Sequence, residues 1–392
     1  MARTTVFVCS QCGHDSAKWH GRCPGCEEWN TMVEERLAPA AAPGGRPGRA
    51  SGRALKPVPL AEVEAPAVRR LVTGIGELDR VLGGGLVPGS MVLIGGSPGI
   101  GKSTITGGAL GNLAAAGRRV LYVSGEESAA QVKLRAERLG PDALRVPIVA
   151  ETDLEAVEAT IEAEGPEVCV VDSVQTLHSS GLSGAAGSVG QVREVAGRLT
   201  RIAKERGVAI LLVGHVTKDD ALAGPRVLEH LVDCVLQFEG ERERTYRTLR
   251  ALKNRFGSTN ETGVFEMRDT GLVEVADASA RFVGEATRGP GSVVLCAMEG
   301  SRPLLVEVQA LVAPTSLVPP RRVANGVVRI RLALVMAVLS RHAGVQLGSA
   351  DFFVSVAGGV RVDVRGADLA IAVAVASAAG GGGLGDGERP LA

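Results

Sequence analysis

The apolar run Val92 to Gly95 opens into Gly96-Ser97-Pro98-Gly99-Ile100-Gly101-Lys102-Ser103-Thr104 and continues as the helix-compatible string TITGGALGNLAAAG. The spacing G-x-x-x-x-G-K-S is that of a P-loop. Glycines let successive backbone N–H groups turn toward nucleotide phosphates, and the helix that follows adds the positive end of its dipole. Lys102 is expected to reach the β and γ phosphates and the Ser103 hydroxyl to ligate Mg²⁺, with Thr104 beside it on the first helical turn. A glycine-rich strand-to-helix turn without a ligand is the alternative. All four fixed positions and both flanking elements agree, so a nucleoside triphosphate is the expected ligand.

Two acidic positions suit the same chemistry. Asp172 follows the apolar run Val168 to Val171 and is placed as the carboxylate that holds Mg²⁺ through water or beside Ser103. Glu126, with Glu127 adjacent, follows the strand-like Val120 to Val123 and is placed to orient or deprotonate an attacking water. Neighbouring side chains at a strand end point differently, so one of the pair reaches the water, and Glu126 is favoured. Each acid alone also suits a solvated helix start. His215, closing the run GVAILLVGH, reads either as a γ-phosphate sensor or as a plain strand-end histidine. Lys253-Asn254-Arg255-Phe256-Gly257 ends a β-like run; its cations suit reaching a neighbouring subunit's phosphates, as an arginine finger does, or keeping an edge strand soluble.

A third cluster lies at the amino terminus. Cys9-x-x-Cys12 and Cys23-x-x-Cys26 place four thiolates around one tetrahedral Zn²⁺, with iron as the competing metal for this ligand set. So small a module lacks a core, and the metal supplies its folding free energy. Trp19 and Trp29, with Lys18, His20 and Arg22, offer a small basic and aromatic face to nucleic acid or, the favoured reading, the two tryptophans cover the metal loop.

Several elements must position these residues. The 392 residues suffice for two or three domains. Lys plus Arg and Asp plus Glu balance at 43 each, so no global basic field announces nucleic acid. Seven cysteines, four within the first 26 residues, favour metal ligation in a reducing compartment over a disulfide framework. There is no apolar run of membrane length and no signal-peptide pattern, so the expected location is the cytoplasm. Residues 1–35 form the finger, and 36–66, rich in Ala, Pro, Gly and Arg, read as a flexible tether. Residues 67–280 alternate strands and helices, which predicts an α/β fold with a parallel sheet covered on both sides. Ligands in such sheets gather at the carboxyl ends of the strands, where Glu126, Asp172 and His215 fall. Residues 285–392 form a further domain that dissolves into GGGGLGDGERPLA. Cys169, Cys234 and Cys296 lie in apolar runs and are expected in cores.

In combination and in this order, the four-cysteine finger, GGSPGIGKST, YVSGEES, VVDSVQT and KNRFG resemble the bacterial RadA/Sms family of DNA repair proteins. The resemblance runs to about residue 378. It implies a RecA-like, DNA-dependent ATPase that forms homo-hexameric rings, acts on single-stranded and branched DNA with a RecA-type recombinase filament, and drives branch migration. It implies ATP at Gly96 to Thr104, Mg²⁺ at Ser103 and Asp172, catalysis at Glu126, and Lys253 and Arg255 coupling nucleotide to DNA movement. Ser97 stands where the family usually has Asp, and its backbone role survives the change. Residues 285–392 resemble the family's Lon-protease-like domain in shortened form. No serine stands around Gly366-Ala367-Asp368 and no lysine follows Lys253, so proteolysis is not expected. Two other classes stay open: a nucleotide-gated regulator of the circadian-clock-kinase type, and a zinc-dependent DNA-binding scaffold.

Overall fold

Aliphatic runs with no polar alternation form strands covered on both faces. Met91–Gly95, Val120–Ser124, Val168–Asp172 and Ala209–Val213 are buried at every position. The computed structural model describes residues 5–9, 14–36, 59, 62, 70–182, 184–214, 227–240, 246–284, 286, 289–299, 302–357, 362 and 366–380. Cys12, His215 and nearly all of the predicted tether lie outside the described residues. The chain divides into two units. The first comprises Met1–Phe238, Ala251–Gly257 and Asp269–Gly271; the second comprises Glu239–Arg250, Ser258–Arg268 and Leu272–Ala392.

In the first unit, β1 (Thr5–Cys9), β2 (Asp15–Ser16) and β3 (Met32–Arg36) make a small antiparallel sheet in the order β2-β1-β3. Among the described residues its core is Cys9, Cys23 and Met32, with Phe7 and Cys26 against it. Further on come α1 (Gly76–Leu82), β4 (Met91–Gly95), α2 (Lys102–Ala115), β5 (Val120–Ser124) and α3 (Ala129–Leu139). After a short 3₁₀ turn at Ala143–Arg145 follow β6 (Ile148–Ala150), α4 (Leu154–Glu164), β7 (Val168–Asp172), α5 (Val189–Arg206), β8 (Ala209–Val213), α6 (Val227–Leu231) and β9 (Cys234–Glu239). These strands lie in the order β9-β4-β8-β7-β5-β6, and the pairings of β4 with β8 and β9, β7 with β8, and β5 with β6 and β7 are parallel.

The helices explain themselves by pattern. In α5, Val192, Val195, Ala196, Leu199, Ile202 and Ala203 recur at helical spacing and are buried, between a Ser188 cap and a left-handed Gly207. They pack with Met91, Leu93, Leu121, Val123, Cys169 and Ile210 of the sheet. By contrast α3, which begins with a Ser128–Gln131 capping box, has no buried residue.

In the second unit, residues of β10 (Tyr246–Asn254) pair antiparallel with β11 (Thr262–Arg268), followed by β12 (Gly271–Glu274) and α7 (Ala278–Gly284). A four-stranded sheet follows, of β13 (Ser292–Glu299), β14 (Arg302–Pro314), β15 (Arg322–Asn325) and β16 (Ala350–Val356), in the order β13-β14-β16-β15. Only the β15–β16 pairing in it is parallel. Helices α8 (Arg329–His342) and α9 (Ala367–Gly380) contribute Leu332, Met336, Ile371 and Ala374 to a core with Leu295, Val306 and Phe352. At the start of α9, Asp368 accepts two hydrogen bonds from Arg331 of α8, at 2.9 and 2.8 Å. Cys296 departs from expectation: it is exposed, because Leu295 and Ala297 take the inward positions of β13 and the thiol between them points out. Cys169 and Cys234 are buried as expected.

Candidate active site

Parallel register brings the ends of four strands together. Ser124 of β5 faces Asp172 of β7, Asp172 faces Val213 of β8, and Val213 faces Ile94 of β4, two residues before the glycine loop. In that loop Ile100 is the anchor, 1% exposed, with its N–H on Ser97 O, while Pro98 and Gly99 stay exposed. Gly96 is required by close approach. A Cβ there would lie 2.9 Å from Phe238 Cβ and 3.0 Å from Ile100 Cγ2, at a φ of 154°. Gly101 stands at the N-cap of α2, so no side chain caps that helix. Ser103 and Thr104 lie half-buried on its first turn.

Lys102 is buried, and its Nζ donates to Gly96 O at 2.7 Å and Ser97 O at 3.1 Å. Burial lowers its pKa, while the charges of Asp172 and Glu126 hold it up. A buried ammonium in a glycine loop, at a helix start that no side chain caps, fits the polyphosphate of a nucleotide. Asp172 offers the carboxylate that a magnesium ion would need.

The two adjacent glutamates part company. Glu126 Oε1 accepts from Ser173 Oγ at 2.5 Å, on the strand-end turn that begins at Asp172, and its charge acts on Lys102. Glu127 turns to α3 and pairs with Arg135. Arg135 Nη2 also donates to the Tyr122 hydroxyl at 2.9 Å, and that hydroxyl donates to Asp172 Oδ2 at 2.6 Å. Burial, then the neighbouring Asp172 charge, pushes the Tyr122 phenol far above its ordinary pKa, with Arg135 opposing. Tyr122, Arg135 and Ser173 were not singled out by sequence reasoning. The phenol was the one available signal, the only polar ring in an otherwise aliphatic strand.

Lys253 and Arg255 lie elsewhere. Lys253 Nζ donates to Glu229 O at 2.6 Å and Val232 O at 2.8 Å, around the carboxyl end of α6. Its pKa is lowered by burial first and by the Arg255 charge second, with Asp233 opposing. Arg255 Nη1 donates to Asp233 Oδ1 at 2.8 Å, and Asp233 Oδ2 accepts from Met91 N at the start of β4. Asn254 Nδ2 reaches Val81 O at the end of α1. The P-loop begins at the other end of β4, about 13 Å along a strand of this length. The two cations therefore do not join the Lys102 cluster of their own chain.

At the ribbon, the Sγ atoms of Cys9, Cys23 and Cys26 lie within 4.8 Å of one another. The Cys9–Cys26 separation is 3.7 Å. Tetrahedral thiolates about 2.3 Å from one zinc sit about 3.8 Å apart, so this spacing fits a shared metal. Trp19 and Trp29 lie against the loop at Gly21, where a Cβ would stand 3.6 Å from the Trp19 ring and 3.8 Å from the Trp29 ring, while the two residues stay 55% and 68% exposed and Trp19 Nε1 donates to Met32 O. A three-residue core is too small to enclose two indoles.

A glycine-loop lysine facing strand-end carboxylates across a parallel sheet defines a P-loop ATPase. Residues 59–221 match the AAA domain model, and residues 7–34 match a rubredoxin metal binding domain. The chain is 52% identical to the DNA repair protein RadA of Halalkalibacterium halodurans, over 94% of this chain and 81% of that one. It is 50% identical to the RadA of Bacillus subtilis, over 95% and 82% of the two chains. With the RadA of Pseudomonas aeruginosa it shares 52% identity over 93% and 81%. The chain belongs to the RadA family of DNA repair proteins. A KaiC-like protein from Pyrococcus horikoshii overlays on 53% of the chain and 99% of its own, with a TM-score of 0.44 and 22% identity, a likeness too remote to bear on function. No helix among the described residues is long and apolar enough to cross a membrane.

Proposed function

We propose that the chain is a DNA-stimulated ATPase that processes recombination intermediates during DNA repair, driving branch migration on single-stranded and branched DNA. The observation that carries the hydrolytic part of the reading is the divergence of the two glutamates, Glu126 acting on Lys102 beside Asp172 while Glu127 is held by Arg135, and the DNA-repair part is supported by the 52% identity to the Halalkalibacterium halodurans RadA. The residues 96–104 bind ATP, with backbone N–H groups and Lys102 neutralising phosphate charge. Ser103 and Asp172 hold Mg²⁺, which when bound screens the charge of the β and γ phosphates. Glu126 orients the water for in-line attack and takes up its proton at the carboxylate. Cys9, Cys12, Cys23 and Cys26 hold Zn²⁺ in a ribbon that presents Trp19 and Trp29 to a partner. Lys253 and Arg255 act on nucleotide bound by the next copy in a homo-hexamer, and the ring works with a recombinase filament of RecA type in the cytoplasm.

Phosphate release with and without single-stranded DNA tests the reading. Lys102→Ala and Glu126→Gln are expected to abolish turnover, and Glu127→Gln to retain most of it at saturating Mg²⁺. Mixing Lys102→Ala with Arg255→Ala chains is expected to regain part of it. Label transferred from ATP to the protein instead of free phosphate supports a kinase, and no turnover with intact DNA binding supports a scaffold; either overturns the motor.

A further inference from the structure

We infer that Tyr122 and Arg135 are positioning residues that fix the Asp172 carboxylate for its metal, and that Arg135, from an unburied helix, sets the direction of the hydrogen bonds that do so. The inference rests on the reading of Asp172 as a magnesium ligand and adds two residues to it. Arg135 can only donate and a carboxylate can only accept. The Tyr122 hydroxyl between them accepts from Arg135 Nη2 at 2.9 Å, so its own proton is committed to Asp172 Oδ2 at 2.6 Å. A chain running from an obligate donor to an obligate acceptor has one proton arrangement, and each bond polarises the next. With Oδ2 engaged from the Tyr122 side, the carboxylate plane is fixed.

The guanidinium is itself held in place. It pairs with Glu127, and its carbon lies 5.9 Å from the centre of the Tyr122 ring. One arginine thus occupies the glutamate that does not face Lys102 and orients the aspartate that does. Tyr122 is buried, at 3% exposure, in a fully buried strand, so its ring cannot swing away. Arg135 is carried by α3, none of whose residues is buried. Tyr122 and Arg135 also line an apolar cavity of about 460 Å³ between α2, α3 and the Ala143–Arg145 turn.

The test is a Mg²⁺ titration of the full-length protein, read by fluorescence of a non-hydrolysable labelled ATP analogue and, separately, by phosphate release from ATP. Tyr122→Phe keeps the ring and removes one hydroxyl. It is expected to raise the half-saturating Mg²⁺ concentration about tenfold in both readouts, while analogue affinity in EDTA stays within about twofold of wild type. Arg135→Gln is expected to shift it in the same direction by about threefold; it sits on a helix with no buried residue and keeps the test alive if Tyr122→Phe does not fold. Because Tyr122 acts through Asp172, adding Tyr122→Phe to Asp172→Asn is expected to cost nothing further. Unchanged Mg²⁺ half-saturation in a folded Tyr122→Phe or Arg135→Gln protein overturns the inference, as do additive losses in the double variant. Wild-type protein with no Mg²⁺-dependent nucleotide binding overturns the site assignment itself, before any variant is made.

Discussion

Gly125 joins the strand that ends at Ser124 to the glutamate proposed to orient water, and it has no room for a side chain. A Cβ built there lies 2.0 Å from Thr176 Oγ1 and 3.0 Å from Thr176 Cβ. The threonine hydroxyl is fixed by its bond to Ser173 O at 2.7 Å, and Gly125 N is fixed by its bond to Asp172 O at 2.8 Å. Neither partner yields without moving the turn that carries Asp172. Relieving the clash in Gly125→Ala takes about 1 Å of separation, an overpacking cost of about 1–3 kcal/mol in stability. Glu126 is the next residue, and misplacement of a reacting group on that scale costs about 100-fold in turnover. Urea unfolding followed by circular dichroism gives the first number, and phosphate release at saturating Mg·ATP gives the second. Thr176→Gly in the same chain removes both clashing atoms and is expected to recover most of the lost turnover. A Gly125→Ala protein that turns over within about threefold of wild type refutes the placement of Glu126 at the reacting centre.

Two further outcomes follow from the ribbon and the buried thiols. Chelation of the metal is expected to unfold residues 5–36, whose apolar core is three side chains, while the ATPase sheet stays folded; limited proteolysis should release the amino-terminal segment alone. Burial pushes the Cys169 and Cys234 thiols from 9.0 up to about 12. A thiol whose folded pKa is raised favours the fold fully below the unfolded pKa, and that contribution is lost as pH rises from about 9 toward 12. The urea midpoint should therefore fall across that window, and less steeply in Cys169→Ala; a flat profile would count against the burial argument.

The parts of the site written in contiguous residues were legible in the sequence. The P-loop spacing, the aliphatic runs ending at Ser124 and Asp172, and the cysteine pairs are local patterns, and a local pattern sets local structure. What escaped depends on which strands become neighbours. Tyr122 and Asp172 are 50 residues apart and meet because β5 lies beside β7. Asn254 reaches the end of α1 across 173 residues. The choice between Glu126 and Glu127 was open for the same reason, since it turns on an arginine two helical turns away whose direction only the packed helix fixes. Cys296 shows the converse: its apolar surroundings in the sequence were read as core, where the strand's alternation left the thiol outside.

The cationic segment at 253–257 and the glycine loop occupy opposite ends of β4, and geometry of that kind has a handedness. If each chain's cations serve a nucleotide on another chain, either an antiparallel pair across a twofold axis or a head-to-tail stack brings cation to cradle. A head-to-tail stack of that kind either closes into a ring or grows as a helix. In the proposed ring every nucleotide is flanked by two chains, so the smallest unit holding a complete site is a pair.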